Sequence, residues 1–256
     1  MKNLLMIIDP QKDFCHPEGS LYVQGAEHDI SRIAKFIETN ELEHIVVSMD
    51  WHQPFSIFHQ SFWVDENGNH PEPFTIIELA DMKSGKWKPR YAHVTAETVL
   101  QELEETGEYK LCIWPYHCIA GTDGASLMPE ISDALNKWAD HGNKFETILK
   151  GRESLTEFYG AFKAQVTLPF VKSTDWNLSM ISHIEKFDNI FIAGEAKSHC
   201  VAQTVKQLCE FPVIRKKLII LEDCMSNVTG FETIADHIWD KAKEIGVKFA
   251  KSTDKF

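Results

Sequence analysis

Short apolar runs, too brief to be helices and mostly separated by stretches of helical periodicity, constrain this chain more than any other feature. LLMIID (4–9), HIVVSMD (44–50), KLCIW (110–114), FETILK (145–150), NIFIAG (189–194), KLIILED (217–223) and VKFAKS (247–252) lack sustained polar alternation. A strand wetted on one face alternates, whereas a strand buried on both does not. The runs therefore predict an α/β protein with a parallel sheet covered by helices on both sides. EHDISRIAKFIET (27–39) supplies one cover, with Ile30, Ile33, Ala34 and Ile37 at i, i+3, i+4 and i+7. PEISDALNKWADHG and FETIADHIWDKAKEIG read as two more, the latter with Ile234, Ile238, Ala242 and Ile245 on one side.

The chain has 256 residues, enough for a full core, and a single domain over 1–256 is expected. Residues 53 to 93 break the rhythm, being rich in aromatics and proline without a period of either kind. An insertion of this length reads as a lid or interface, or as a surface excursion packed on itself. Lys and Arg number 26 against 38 Asp and Glu, for a net charge of -12. With no basic cluster, this argues against nucleic-acid and anionic-membrane partners. No segment approaches the roughly 18 apolar residues of a membrane span. LLMII ends at Asp9 and Pro10 without a cleavage site, and six cysteines without a CxxC pair read as reduced thiols, so a cytoplasmic protein is expected.

In a parallel sheet, ligands bind at the carboxyl ends of the strands. Those ends carry Asp9, Asp50, Lys150 and, just beyond NIFIAG, Cys200. A cysteine where a strand gives way to a helix lies near unpaired N–H groups and the positive end of the helix dipole, which favour thiolate. A lysine adds to that, and a carboxylate can accept and return a proton, a set suited to covalent attack on an amide carbonyl. The plain alternative is a structural Asp9–Lys150 ion pair with Cys200 as a small buried hydrophobe. In DWH (50–52), Asp50 and His52 point the same way, and WPYHC (114–118) adds His117. Asp with two His suits zinc first, or iron or manganese, with positions left open for water or substrate. His59 is a further candidate ligand. GxGxxG after the first strand, GxxxxGK[ST] and GxSxG are absent, which removes support for dinucleotide, P-loop and serine-hydrolase chemistry.

Four segments resemble the isochorismatase-like cysteine hydrolases, and among them the nicotinamidase branch. IIDPQKDF (7–14) resembles the opening D-x-Q-x-D-F. MDWH (49–52) with WPYHC (114–118) resembles the metal motif. LKGRESLTEFYGAF (149–162) resembles the lysine segment, and GEAKSHCVAQT (194–204) the nucleophile loop. The resemblance covers about residues 4 to 225. It implies a Rossmann-like, three-layer α/β/α fold with six mostly parallel strands, and a triad of Asp9, Lys150 and Cys200. It also implies a cis peptide at Glu195–Ala196 and an oxyanion hole from the N–H groups of Ala196 and Cys200. The implied metal set is Asp50, His52 and His117, with Phe14 and Trp114 against the substrate ring. The implied reaction is hydrolysis of nicotinamide, or a similar small carboxamide, to acid and ammonia through a thioester, a step of NAD salvage.

A small amide and further copies of this chain are the expected partners. Glu195 and Lys197 are charged where compact members carry small or apolar residues, which raises a carboxylate- or amine-bearing substrate as an alternative. Another amide, carbamoyl or ureido compound is the second enzymatic reading, and a binding protein with little turnover is the reading from another class.

Overall fold

The computed structural model describes residues 1–169 and 171–256. Six of the apolar runs form one sheet: β1 (Asn3–Ile8), β2 (His44–Asp50), β3 (Glu146–Lys150), β4 (Asn189–Gly194), β5 (Leu218–Leu221) and β6 (Lys248–Ala250). Their order is β6-β5-β4-β1-β2-β3, and every neighbouring pair is parallel. Leu4 to Ile8 are wholly buried, as expected of a central strand covered on both faces. β3 is an edge strand and its burial alternates, with Thr147 and Leu149 open to solvent.

The covering helices include α1 (Ala26–Thr39), α2 (His93–Thr106), α3 (Pro129–Ala139), α4 (Leu178–Ile184), α5 (Ala202–Cys209) and α6 (Asp236–Glu244). α1 packs on α3, and α5 on α6. The chain moves outward in one direction from β1 to β3, then crosses back to β4 and moves outward in the other. Right-handed crossovers running in opposite directions set helices on opposite faces of the sheet. The result is the expected three-layer arrangement, and the switch point between β1 and β4 opens a crevice at the strands' carboxyl ends.

Three sequence expectations need correction. KLCIW does not join the sheet, since only Leu111–Cys112 is a strand and it pairs antiparallel with Ile76–Ile77 of the 53–93 segment. Its apolar character reflects burial, because Ile113 and Trp114 are enclosed in irregular chain. Helix α6 begins at Asp236, so Phe231 and Ile234 lie ahead of it. In α1, Phe36 is buried and Ala34 only half-buried, which turns the inner stripe slightly from the expected one.

The 53–93 segment packs into the common hydrophobic core. Ile57, Phe58, Phe62 and Trp63 are buried, and the Trp63 indole N–H donates to Ile57 O at 2.6 Å. Trp63–Val64 pairs with Lys88–Pro89. Among the described residues, no helix is long and apolar enough to cross a membrane.

Candidate active site

Register sets the first contact of the site. Asp50 and Lys150 are direct neighbours at the ends of β2 and β3, and Lys150 Nζ lies 2.6 Å from Asp50 Oδ1. The same ammonium lies 2.8 Å from Asp9 Oδ2, donates to Phe158 O at 2.8 Å and reaches Cys200 Sγ at 3.5 Å. Asp9 follows β1 with φ +45, a left-handed conformation that Asp tolerates better than most residues. Ser48 fixes its carboxylate, donating from Oγ to Oδ1 at 2.7 Å. The structure thus brings together the four residues expected at the strand ends.

Cys200 sits in a π-helical turn, Lys197–Val201, that runs into α5. The peptide between Glu195 and Ala196 is cis. Among the described residues, the Ala196 N–H donates to no backbone or side-chain acceptor.

The electrostatics amend one expectation, that helix and lysine make Cys200 a thiolate. Burial pushes the thiol's pKa well up, and Asp9 and Asp50 add to the rise against the opposing pull of Lys150. Burial is the largest cause, and the two carboxylates within 4.8 Å of Sγ work with it against the ammonium. Burial likewise raises Asp9, only partly countered by Lys150. Asp50 goes the other way: burial opposes its charge, but Lys150 and His52 hold it well below the usual carboxylate range. The site therefore rests with a thiol beside a carboxylate of raised proton affinity.

The candidate metal residues converge next to this group. One ligand atom each from Asp50, His52 and His117 lies within 4.8 Å of the others, and all three side chains are buried. His52 Nδ1 faces Gly151 O at 3.1 Å, and His117 Nδ1 faces Pro115 O at 2.7 Å. A carbonyl only accepts, so each Nδ1 carries a hydrogen and Nε2 is left to bind. His52 Nε2 is buried and unpartnered, lying 3.4 Å from Asp50 Oδ2. Burial and the neighbouring His52 hold the pKa of His117 down at about 3. Burial opposes charge on His52, but Asp50 holds its pKa up. Nε2 of His52 therefore attracts a proton or a cation. These donors and the orphaned nitrogen fit a zinc-type ion, with the carbonyls of Gly151 and Pro115 fixing the orientation of the two rings.

His59 stands just outside the set, its ring centroid 5.9 Å from that of His52 and 6.0 Å from that of His117. Its Nδ1 faces Pro54 O at 3.1 Å and its Nε2 is buried and unpartnered.

Gly151 makes the close approach to His52 possible. It has φ +70, and a Cβ there would come within 2.4 Å of the imidazole. Gly151→Ala should therefore tilt His52 and lower both bound metal and activity roughly tenfold, read by metal analysis beside turnover. Full metal content in the variant would contradict this.

Phe14 and Trp114 line the cleft in front of Cys200 together with His117, Glu157, Tyr159 and His199. The Phe14 ring meets His117 edge-on at 5.3 Å. The Trp114 indole N–H donates to Tyr159 Oη at 3.2 Å. Glu157, Tyr159 and His199 were not singled out by sequence. Glu157 is buried and its pKa is pushed up to about 7, by burial against the pull of His52. Gln11 was also missed: its side chain exchanges two hydrogen bonds of 2.7 Å with the backbone of Asp50 and donates a third, of 2.9 Å, to Ala125 O. Glu195 does not face the cleft. It is buried, accepts from Ser226 N at 3.1 Å, and lies beside Asp29.

No protein-family model matches the chain. It is 27% identical over 208 residues to the nicotinamidase of Saccharomyces cerevisiae, covering 80% of this chain and 81% of that one. In structure it resembles the yeast nicotinamidase Pnc1p bound to the inhibitor nicotinaldehyde, with a TM-score of 0.68, 20% identity, and 97% and 99% of the two chains covered. It also resembles the pyrazinamidase of Pyrococcus horikoshii in complex with zinc, with a TM-score of 0.55, 18% identity, and 98% and 99% covered. The fold is that of the isochorismatase-like hydrolases. The curated relatives that the sequence resembles, at 25–27% identity, are nicotinamidases.

Proposed function

We propose that this amide-hydrolysing enzyme is a metal-dependent nicotinamidase-like amidohydrolase, converting nicotinamide or a similar small carboxamide to the acid and ammonia through a Cys200 thioester. The observation that carries the reading is the single Lys150 ammonium in contact with Asp9, Asp50 and Cys200. A binding protein needs no nucleophile beside a base.

In this mechanism the thiol proton of Cys200 passes to Asp9 as sulfur attacks the carboxamide carbon. The N–H groups of Ala196 and Cys200 receive the negative charge that develops on oxygen. Asp9 then returns its proton to the departing nitrogen, so ammonia leaves and a thioester remains. Water gives a proton to Asp9 and its oxygen to the acyl carbon, the C–S bond breaks, and sulfur recovers its proton. The raised proton affinity of Asp9 suits a group that must both accept and donate. Lys150 keeps the two carboxylates from repelling one another. Asp50, His52 and His117 are the residues that would hold the ion, with His59 in reserve. The ion would supply a Lewis-acidic position for a ring nitrogen and so orient the substrate. Phe14 and Trp114 would flank the ring. The 53–93 segment belongs to the same hydrolase unit and walls the site, since Phe58 packs on His52 at 4.8 Å. A cytoplasmic, self-associating enzyme completes the proposal.

The test is ammonia release from nicotinamide by the purified protein, before and after chelation. Turnover that falls with chelator and returns with zinc, iron or manganese is expected. Turnover indifferent to complete metal removal would refute the metal dependence. The buried Glu157 at the cleft favours a second reading, a carboxamide or ureido compound bearing a hydrogen-bond donor. A substrate panel that turns over faster than nicotinamide would establish it.

A further inference from the structure

The two strands that end in Asp50 and Lys150 begin in a second convergent group. His44 opens β2 and Glu146 opens β3, so they lie at the opposite end of the sheet from Cys200. Glu146 is in register with Val46, two residues beyond His44, which puts both side chains on the same face. His183, in the last turn of α4, comes down onto that face. His44 Nε2 lies 3.7 Å from Glu146 Oε1, and His183 Nε2 lies 3.9 Å from the same oxygen. All three ligand atoms lie within 4.8 Å of one another.

Those separations are too long for hydrogen bonds, and both Nε2 atoms are buried without a partner. A buried ring nitrogen left unpaired is costly, so two facing one carboxylate oxygen require an explanation. For a tetrahedral ion with bonds of about 2.0–2.1 Å, ligand atoms stand about 3.3–3.4 Å apart. Contractions of a few tenths of an ångström bring Glu146 within that distance of each imidazole. The rings are already held, with His44 stacked on Phe187 at 5.7 Å and 22° and His183 edge-on to Phe187 at 5.6 Å. Glu146 and His183 are partly exposed, which gives an ion and a completing water a way in.

We propose that His44, Glu146 and His183 form a second divalent-metal site, of His₂Glu type and suited to zinc, that pins α4 to the edge of the sheet. Three protein ligands from two strands and a helix make it a clamp between elements, remote from the chemistry.

The test uses the full-length protein saturated with zinc and then dialysed against metal-free buffer. Metal is counted per chain in wild type, His183→Ala and Glu146→Gln. The expected result is one equivalent fewer in each variant, with turnover of nicotinamide unchanged and a lower melting temperature in zinc. Cobalt substitution should give tetrahedral absorption bands that weaken in both variants. Equal zinc content in wild type and both variants would overturn the proposal and leave the group as aromatic packing beside a carboxylate. Glu146→Gln removes one ligand atom with little change in shape, so it decides the matter if His183→Ala folds poorly. The count is independent of activity, so it stands or falls separately from the amidase reading.

Discussion

Replacing Cys200 by alanine should lower ammonia release by about 10⁴-fold or more while the protein stays folded. Removing a nucleophile that works as a unit with its base costs a rate factor of this order. The truncation removes one sulfur from a side chain that is 6% exposed, so unfolding should shift only slightly. An ion held by Asp50, His52 and His117, as proposed, should be retained, because none of those residues is touched. The measurement pairs a steady-state ammonia assay with a thermal melt. A residual rate within tenfold of wild type would place the nucleophile elsewhere. Adding hydroxylamine to the wild type sharpens the point, since a thioester partitions to hydroxamate and direct attack by water does not.

Lys150→Met should abolish turnover and also destabilise the fold by about 3–5 kcal/mol. Lys150 has 1% of its side chain exposed, and Asp9 and Asp50 are equally enclosed. Without the ammonium, two buried carboxylates face each other, with only the His52 imidazole, 3.4 Å from Asp50, left to offset them. Both would then bind protons more tightly in the folded than in the unfolded chain, so the variant loses stability as pH rises through their raised folded values. In the wild type, Asp50 has the opposite sign. Its depressed folded value contributes stability that is present above the unfolded carboxylate value and lost as pH falls through the folded one. The gap between the two proteins should therefore widen from about pH 5 to pH 8. Denaturant midpoints across that interval give the readout, and a constant gap would mean that Lys150 acts by packing alone.

The positions of Asp9, Asp50, Lys150 and Cys200 were legible because a parallel sheet collects every carboxyl end at one edge. Once the apolar runs are read as parallel strands, polar residues at their ends become neighbours without further knowledge. The charge state of Cys200 was not legible in the same way. It depends first on how deeply the sulfur is buried and then on which charges reach it, tertiary facts that no local pattern encodes. KLCIW misled because burial and strand pairing both select apolar residues, and an irregular enclosed segment looks like a strand in one dimension. Glu195 misled because a charge beside a nucleophile suggests a pocket, whereas its carboxyl turns toward Ser226 and Asp29. Gln11 stood in the D-x-Q-x-D-F match without a role attached to it, and Glu157 carried no spacing signal. The convergence of His44, Glu146 and His183 spans 139 positions from first to last and appears only when the strands are aligned.

The 53–93 excursion is tied at its root. His52 N donates to Cys118 O at 3.0 Å, Ala120 N donates to His52 O at 3.0 Å, and Trp114 N donates to Phe58 O at 2.8 Å. His52 and His117 therefore sit on the two sides of a closed neck, and what lies beyond the neck is a loop whose ends are already joined. Lengthening such a loop is cheap, with each doubling costing only about 0.6 kcal/mol of closure entropy. The excursion can thus be rewritten, in evolution or by design, while both histidines keep their positions. The length of the excursion and the placing of the two histidines become separable properties of one chain.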